Sequence, residues 1–161
     1  MANITQKITP FLWFDNNAEE AAAFYTSVFE DSSIEGISYY GDSGPMPKGS
    51  VMVIAFTLNG VQFTAMNGGP NHPFTDSISF LVNCENQEEV DYYWDKLTEG
   101  GTEVQCGWLK DKFGLSWQIT PVRLMELLYD KDEAKKDRVM NAMMQMIKID
   151  IPGLEKAAAN K

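Results

Sequence analysis

Hydrophobic and polar positions in the first 70 residues follow the period of a strand, then that of a helix, then that of strands again. In the helical stretch Ala21, Tyr25 and Val28 lie three and four residues apart, which places them on one face. Asn59-Gly60, between two apolar runs, is typical of a two-residue hairpin turn. The predicted elements are strand 8–14, helix 18–29 and strands 34–40, 51–58 and 61–66.

The same order of elements returns after residue 75, so the chain contains an internal repeat. Laying Phe11 over Phe80, an offset of 69 residues, also aligns Asn17 with Asn86. Each Asn is followed three residues later by Glu, which predicts an Asn version of the helix capping box. The second set of predicted elements is strand 77–82, helix 87–98 and strands 103–108 and 115–120. Each block therefore predicts the order β-α-β-β(-β).

The residues after Pro121 lie outside the repeat and predict helices. A helix is expected to begin at Asp130, which has Glu133 three residues later, and Pro152 suits the first turn of a terminal helix over 153–159. Five of the nine methionines fall between residues 125 and 146. We interpret this Met-rich face as flexible filler that packs on its own protein or on a dimer mate.

The charge balance excludes several classes of partner. With 13 Lys and Arg against 23 Asp and Glu the net charge is −10, whereas nucleic acids and anionic membranes require a cationic face. No apolar run reaches the roughly 20 residues of a membrane span, and the first residues lack the pattern of a secretion signal. We therefore expect a cytoplasmic protein. Its two cysteines, Cys84 and Cys106, form no CxxC motif and are expected to stay reduced.

Several segments of this tandem repeat resemble the PhnB-like branch of the vicinal oxygen chelate superfamily, long labelled 3-demethylubiquinone-9 3-methyltransferase domains. The superfamily includes glyoxalases, bleomycin-resistance proteins and ring-cleaving dioxygenases. The segments that carry the resemblance are 13–15, 19–21, 24–25, 65–70, 83–91 and 106–121. The resemblance implies an α+β fold and a homodimer.

In this fold two tandem βαβββ modules form a curved, cup-like mixed sheet, followed here by C-terminal helices. The implied boundaries are a single domain over 1–161, with module one at 5–70, module two at 75–122 and a helical tail at 123–161.

The resemblance also implies where a metal would bind, because metal-dependent members place His, Glu or Gln on the first and last strand of each module. Carried over by position, these points fall near Ile8 or Thr9, near Ser77 or Ile78, and at Thr64 and Gln118. Thr and Ser hydroxyls lack the charge that compensates a divalent ion for its lost hydration. We therefore predict no metal site and no cofactor. If a divalent metal does bind, the candidate ligands are Gln118, Asn67 and His72.

The inside of the implied cup is the predicted ligand pocket. Strand alternation places Gln62, Thr64 and Met66 on the cup side, opposite Phe63 and Ala65. Aromatic walls with a few polar groups suit a small organic ligand, and a filled barrel interior is the alternative. The predicted pocket comprises Thr9, Phe11, Trp13, Gln62, Thr64, Met66, Asn67, His72, Trp108, Lys112, Ser116 and Gln118.

A charged segment, Lys110-Asp111-Lys112, is expected at the mouth of the second hairpin. It is interpreted either as a solvated turn or as a gate that attracts an anionic ligand. Trp108 beside it either stacks on an aromatic ligand or belongs to the core.

Three functions are weighed on these observations. The first is a small-molecule binder of the resistance type that needs no metal, and the alternative is a metal-dependent isomerase or lyase of the glyoxalase type. The third is the methyltransferase that the family label suggests, although the sequence has no Gly-rich nucleotide loop between a strand and a helix. No residue is assigned a catalytic role, and the predicted partners are a small molecule and a second copy of the chain, with no nucleic acid and no membrane.

Overall fold

A computed structural model describes residues 6–159 and has the predicted α+β class. The chain divides between Pro73 and Phe74 into two compact units, each of which contains a four-stranded mixed sheet and one or more helices. The predicted outer boundaries at residues 1, 5 and 161 lie outside the described residues. No helix within 6–159 is long and apolar enough to span a bilayer.

The first unit is a sheet with one helix packed on it. Its elements are β1 (Phe11–Phe14), α1 (Ala18–Val28), β2 (Ser33–Tyr39), β3 (Val51–Leu58) and β4 (Val61–Asn67). The strand order is β1-β4-β3-β2, with β1 parallel to β4 and the other pairs antiparallel. Asn59 and Gly60 have φ values of 46° and 75°, as a type I′ turn requires, so the predicted hairpin is confirmed.

Helix α1 covers one face of this sheet. Its small residues Ala18, Ala21 and Ala22 are fully buried, which lets the helix approach the strands closely. Beneath it lie Ile54 and Phe56, both at most 1% exposed. Full burial of such a side chain contributes about 1.5–3 kcal/mol, so this layer is the main core of the unit.

The second unit repeats this plan and adds the helical tail. Its elements are β5 (Phe80–Cys84), α2 (Gln87–Thr98), β6 (Thr102–Glu103), β7 (Trp108–Lys110), β8 (Ser116–Pro121), α3 (Val122–Leu128), α4 (Glu133–Met143) and α5 (Ile151–Ala159). The strand order is β5-β8-β7-β6, with β5 parallel to β8. The tail has its own buried cluster, formed by Leu124, Leu127, Val139, Ile149 and Leu154.

Two sequence-based predictions for the second unit are wrong, and one helix of the predicted tail was given no bounds. The strand expected at 103–108 is two short strands separated by a turn, in which Cys106 and Gly107 have φ values of 62° and 81°. Helix α3 lies within the predicted helical tail, but its bounds were not predicted, because it follows β8 without a connecting turn. Helix α4 begins at Glu133, and its N-cap is Asp132, whose side chain accepts a hydrogen bond from the Lys135 amide, and not Asp130.

The internal repeat holds for the helices but slips by one residue in the first strands. Three residues connect β1 to α1, whereas two connect β5 to α2. Leu12 is buried on the helix-covered face, but Leu81, its partner at the offset of 69, is 43% exposed and pairs with Gln118. Because successive strand residues point to opposite faces, one missing residue reverses the face. Phe11 therefore corresponds to Leu81, and the alignment of Phe11 with Phe80 is wrong.

The two cysteines have different surroundings, which predicts different reactivity. Cys84 is fully buried, and its burial, aided by the negative charge of Glu89, raises the pKa of the thiol to about 12. Because the thiolate is the nucleophile, iodoacetamide at pH 8 should label half-buried Cys106 and leave Cys84 unlabelled in the native protein. Peptide mass spectrometry checks this result, with urea-unfolded protein as the control in which both react. Equal labelling of both cysteines in native protein would contradict the prediction.

Candidate functional site

The face of the first sheet that α1 leaves uncovered is called the open face here. Cross-strand pairing arranges its side chains in three rows, which run from one edge strand towards the other. The rows are Ser33, Thr57 and Gln62; Gly36, Ala55, Thr64 and Phe11; and Ser38, Val53, Met66 and Trp13. The first row carries hydroxyl and amide groups and the last is mainly apolar. The open face therefore changes from polar to apolar along the strands.

A depression of about 160 Å³ lies at the polar end of the open face. It is lined by Thr9, Glu35, Ala55, Phe56, Gln62, Phe63 and Thr64. Glu35 belongs to edge strand β2 and Thr9 precedes edge strand β1, so the depression extends from β2 across β3 and β4 to the segment before β1. The open face is therefore concave at its polar end. A cavity of about 150 Å³ accommodates a benzene-sized molecule, so the depression can take one small organic group.

The segment before β1 is fixed along β4 by the side chain of Gln6. Its Nε2 donates to the carbonyl oxygens of Ile8 and Gln62, each at 2.9 Å, and its Oε1 accepts from the Gln62 amide at 3.0 Å. The Thr64 amide donates to the Pro10 carbonyl at 3.0 Å. These bonds extend the β1–β4 pairing beyond the strand and hold Thr9 at the rim of the depression.

Glu35 lies at the depression as the extra residue of a β-bulge in β2. The pairing of β2 with β3 passes from Ile34 opposite Phe56 to Gly36 opposite Ala55, which leaves Glu35 unpaired. Glu35 lies on the same face as Ser33, two residues before it, and its carboxylate accepts hydrogen bonds from the hydroxyls of Ser33 and Thr57. The faces of strand 34–40 were not predicted, so Glu35 is absent from the predicted pocket. The only signal in the sequence is the adjacent Gly36, a residue that often marks bulges.

The apolar end of the open face is closed by the turn after β4. Trp13 Nε1 donates to the Gly69 carbonyl at 2.9 Å, and the Trp13 and His72 rings lie 4.4 Å apart. A Cβ on Gly68 would lie 2.3 Å from the Trp13 ring, so only glycine fits there. The structure thus brings together the predicted pocket residues Trp13 and His72, with His72 exposed to solvent.

Asn67 lies at the N-terminus of α1 and is only 4% exposed. Its Oδ1 accepts from the Ala18 amide at 2.8 Å, and its Nδ2 donates to Glu19 Oε2 at 2.6 Å and to the Val51 carbonyl at 3.1 Å. The predicted cap Asn17 makes no side-chain capping bond, so the capping-box prediction for α1 is wrong. The side chain of Asn67 caps the helix in place of Asn17, and its three hydrogen bonds connect the end of β4 to the start of α1 and to β3.

In the second unit, Gln118 occupies the uncovered face of its own sheet. Its cross-strand neighbours are Leu81 and Trp108, and its Nε2 donates to Ser79 Oγ at 2.8 Å. Asn86 caps α2 as predicted, because its side chain accepts from the Glu89 amide at 3.0 Å. The predicted pocket residues Gln118 and Trp108 are therefore direct neighbours.

The charged segment at 110–112 lies at a turn that is only partly solvated, because Asp111 is buried. Asp111 is 3% exposed and accepts from the Phe113 and Leu115 amides and from Trp117 Nε1, at 2.9, 3.0 and 2.8 Å. The buried Asp111 carboxylate therefore stabilises the turn. The exposed residue of the segment is Lys112, whose Nζ lies 5.1 Å from the centre of the Phe113 ring.

Lys110 is paired with an acid from the start of the second unit. Its Nζ lies 2.7 Å from Asp76 Oδ1, which also accepts from Ser116 Oγ at 3.3 Å. The bond from Lys110 lowers the pKa of Asp76 below its ordinary value, with a smaller contribution from the Ser116 hydroxyl. The positive charge that was expected to attract an anionic ligand is thus balanced by a carboxylate 2.7 Å away.

No group of three or more His, Cys, Asp or Glu side chains within residues 6–159 is arranged to hold a metal ion. The candidate ligands Asn67 and His72 belong to the first unit and Gln118 to the second. That the protein functions without a metal stays a prediction.

Comparison with known proteins identifies similar sequences and folds. A family model described as 3-demethylubiquinone-9 3-methyltransferase matches residues 6–120. The PhnB protein from Bacillus cereus is 43% identical, with coverage of 73% of this chain and 100% of that protein and a TM-score of 0.67. No curated protein matches the chain.

Two more distant structures show the same fold. A protein from Pseudomonas aeruginosa is 22% identical over 73% of this chain and 98% of its own, with a TM-score of 0.61. The fosfomycin resistance protein FosX from Listeria monocytogenes is 17% identical over 79% of this chain and 99% of its own, with a TM-score of 0.57. At these identities the likeness concerns the fold alone.

Proposed function

We propose that this chain, which belongs to the PhnB-like family of the vicinal oxygen chelate superfamily, binds a small organic molecule on the concave open face of its first sheet, without a divalent metal. The depression in that face is the observation that carries the proposal. The family label by itself does not decide the activity, because one fold hosts many functions.

The chemistry of the open face supports a ligand with a polar and an apolar part. Thr57, Gln62 and Thr64 offer hydroxyl and amide groups at one end. Trp13, half-buried, and Phe11, 57% exposed, offer aromatic surface towards the other. Small-molecule sites combine an apolar wall with a few polar groups in this way. A filled interior, the alternative reading, would not leave an aromatic ring half in solvent.

The metal-free part of the proposal is supported by the residues at the positions that metal-dependent members use. Thr9, Thr64 and Ser77 carry neutral hydroxyls, and the amide of Gln118 already bonds Ser79. A divalent ion held by such groups would lack the carboxylates or imidazoles that replace its hydration shell.

Filling the depression tests the binding part of the proposal. Ala55 lies on its floor, so Ala55→Leu should abolish binding of phenyl-bearing probes to the open face. The probes are 2-phenylethylamine, 2-phenylethanol and 3-phenylpropionate, followed by amide chemical shifts in ¹⁵N NMR. At least one probe should shift the Ala55 and Thr64 signals saturably at millimolar concentration in the unaltered protein. Ala23→Leu, at an exposed position of α1, is the matched control and should bind normally. If no probe shifts these signals, the proposal fails.

Metal titration tests the part of the proposal that states that no divalent metal is needed. Adding Ni²⁺, Zn²⁺ or Mn²⁺ should leave the melting temperature unchanged, because no charged ligand set is available at the superfamily positions. Stoichiometric binding of an ion that Gln118→Ala abolishes would contradict the proposal and favour the isomerase or lyase. Stabilisation by S-adenosylmethionine would instead favour the methyltransferase.

A further inference from the structure

Glu35 is the one charged side chain among the described residues that line the depression. No Lys or Arg of residues 6–159 pairs with it. Its hydrogen-bond partners are two hydroxyls, Ser33 Oγ at 2.5 Å and Thr57 Oγ1 at 3.4 Å. The depression therefore has a negative charge at its rim that the described part of the protein does not neutralise.

The two hydroxyls also orient the carboxylate. Both donate to Oε1, so Oε2 has no hydrogen-bond partner within residues 6–159. A charge-assisted hydrogen bond from a ligand to such an oxygen is about twice as strong as a neutral one. The approach to Oε2 is also sterically open, because the neighbouring residue is Gly36, and the position where its Cβ would stand is empty space. A ligand group that approaches Oε2 from the depression meets no side chain at position 36.

The surroundings of Glu35 define the rest of the ligand. Ala55 provides a small, apolar floor, and the next row along the strands contains Val53 and Met66. Residues two apart on a strand are separated by about 6.6 Å, so a ligand whose polar group lies at the level of Ala55 needs an apolar body of about that length to reach Val53 and Met66. The net charge of −10 adds a general attraction for cations.

We propose that the depression accepts a protonated amine with an apolar body, and that Glu35 is the residue that selects the amine. This inference rests on the proposed function and specifies its ligand class. It differs from the sequence-based expectation of an anionic ligand near Lys110 and Lys112, since Lys110 is already paired with Asp76.

Charge-matched probes test the role of Glu35. In the unaltered protein 2-phenylethylamine, protonated at pH 7, should bind at the Ala55 and Thr64 amides three- to tenfold more tightly than 2-phenylethanol. Glu35→Gln should remove this preference by weakening the amine three- to tenfold, while binding of the alcohol changes less than twofold. Glu30→Gln, an exposed acid after α1, is the matched control for the loss of one negative charge and should leave the preference intact. Raising the salt concentration to 0.5 M should weaken the amine and not the alcohol.

The outcomes separate the two proposals. If the alcohol binds at Ala55 and the amine binds no better, or if Glu35→Gln leaves the preference unchanged, the role of Glu35 is refuted while the proposed function stands. If Glu30→Gln removes the preference equally, the effect is one of net charge and the role of Glu35 is also refuted. If none of the probes binds, the proposed function fails and this inference fails with it.

Discussion

Replacing Asp111 by Ala is expected to lower the free energy of unfolding by about 3–5 kcal/mol, because each buried donor that is left without an acceptor costs about 1–3 kcal/mol. The carboxylate is 3% exposed and accepts three hydrogen bonds, two from backbone amides and one from Trp117 Nε1. Its removal leaves these donors without an acceptor at the hairpin between β7 and β8. Urea denaturation followed by circular dichroism measures the change.

Two further variants make this test specific. Asp111→Asn keeps an acceptor for the backbone amides but turns an NH₂ group towards Trp117, so its cost should lie between zero and that of Asp111→Ala. Asp42→Ala is the matched control, because Asp42 forms an exposed ion pair with Lys48 at 2.9 Å. Exposed pairs contribute at most about 1 kcal/mol. Equal losses for Asp42→Ala and Asp111→Ala would show that Asp111 does not anchor the turn.

Asn67→Ala is expected to be the second most damaging change, at about 2–4 kcal/mol. It removes the acceptor for the Ala18 amide at the start of α1 and the donor to Glu19 and Val51. Because Asn67 is 4% exposed, water does not readily replace these partners. Helix α1 covers the core of the first unit. The melting temperature of the protein, followed by its helical circular-dichroism signal, should therefore fall.

The control for this prediction is the residue that the sequence favours as the cap. Asn17→Ala should cost less than about 0.5 kcal/mol, because the Asn17 side chain makes no capping bond. If Asn17→Ala proves as costly as Asn67→Ala, the capping box expected from the sequence operates after all. Asn67→Asp separates the two bonding roles, since it keeps an acceptor for Ala18 but removes the donor to Glu19.

The sequence predicted several of the side chains that share the open face, but it also included buried Asn67 and did not include Glu35. Thr9, Gln62 and Thr64 were expected there, and alternation alone places Thr64 and Met66 opposite Ala65. Glu35 was missed because the faces of β2 were not predicted, and beyond Glu35 one extra residue reverses the alternation of that strand. The ligand itself stays a proposal.

The sequence by itself determined the kind and order of most elements and the turn at Asn59-Gly60. These depend on periodicity and on backbone preferences within a few residues. Only the tertiary structure decided that Asn67, and not Asn17, caps α1, that Asp111 is buried, and that Leu81 faces outwards. Those outcomes depend on which strands pair and in which register, and so on residues that are distant along the chain. The Ala18 amide finds its acceptor 49 positions away because folding brings the end of β4 beside the start of α1.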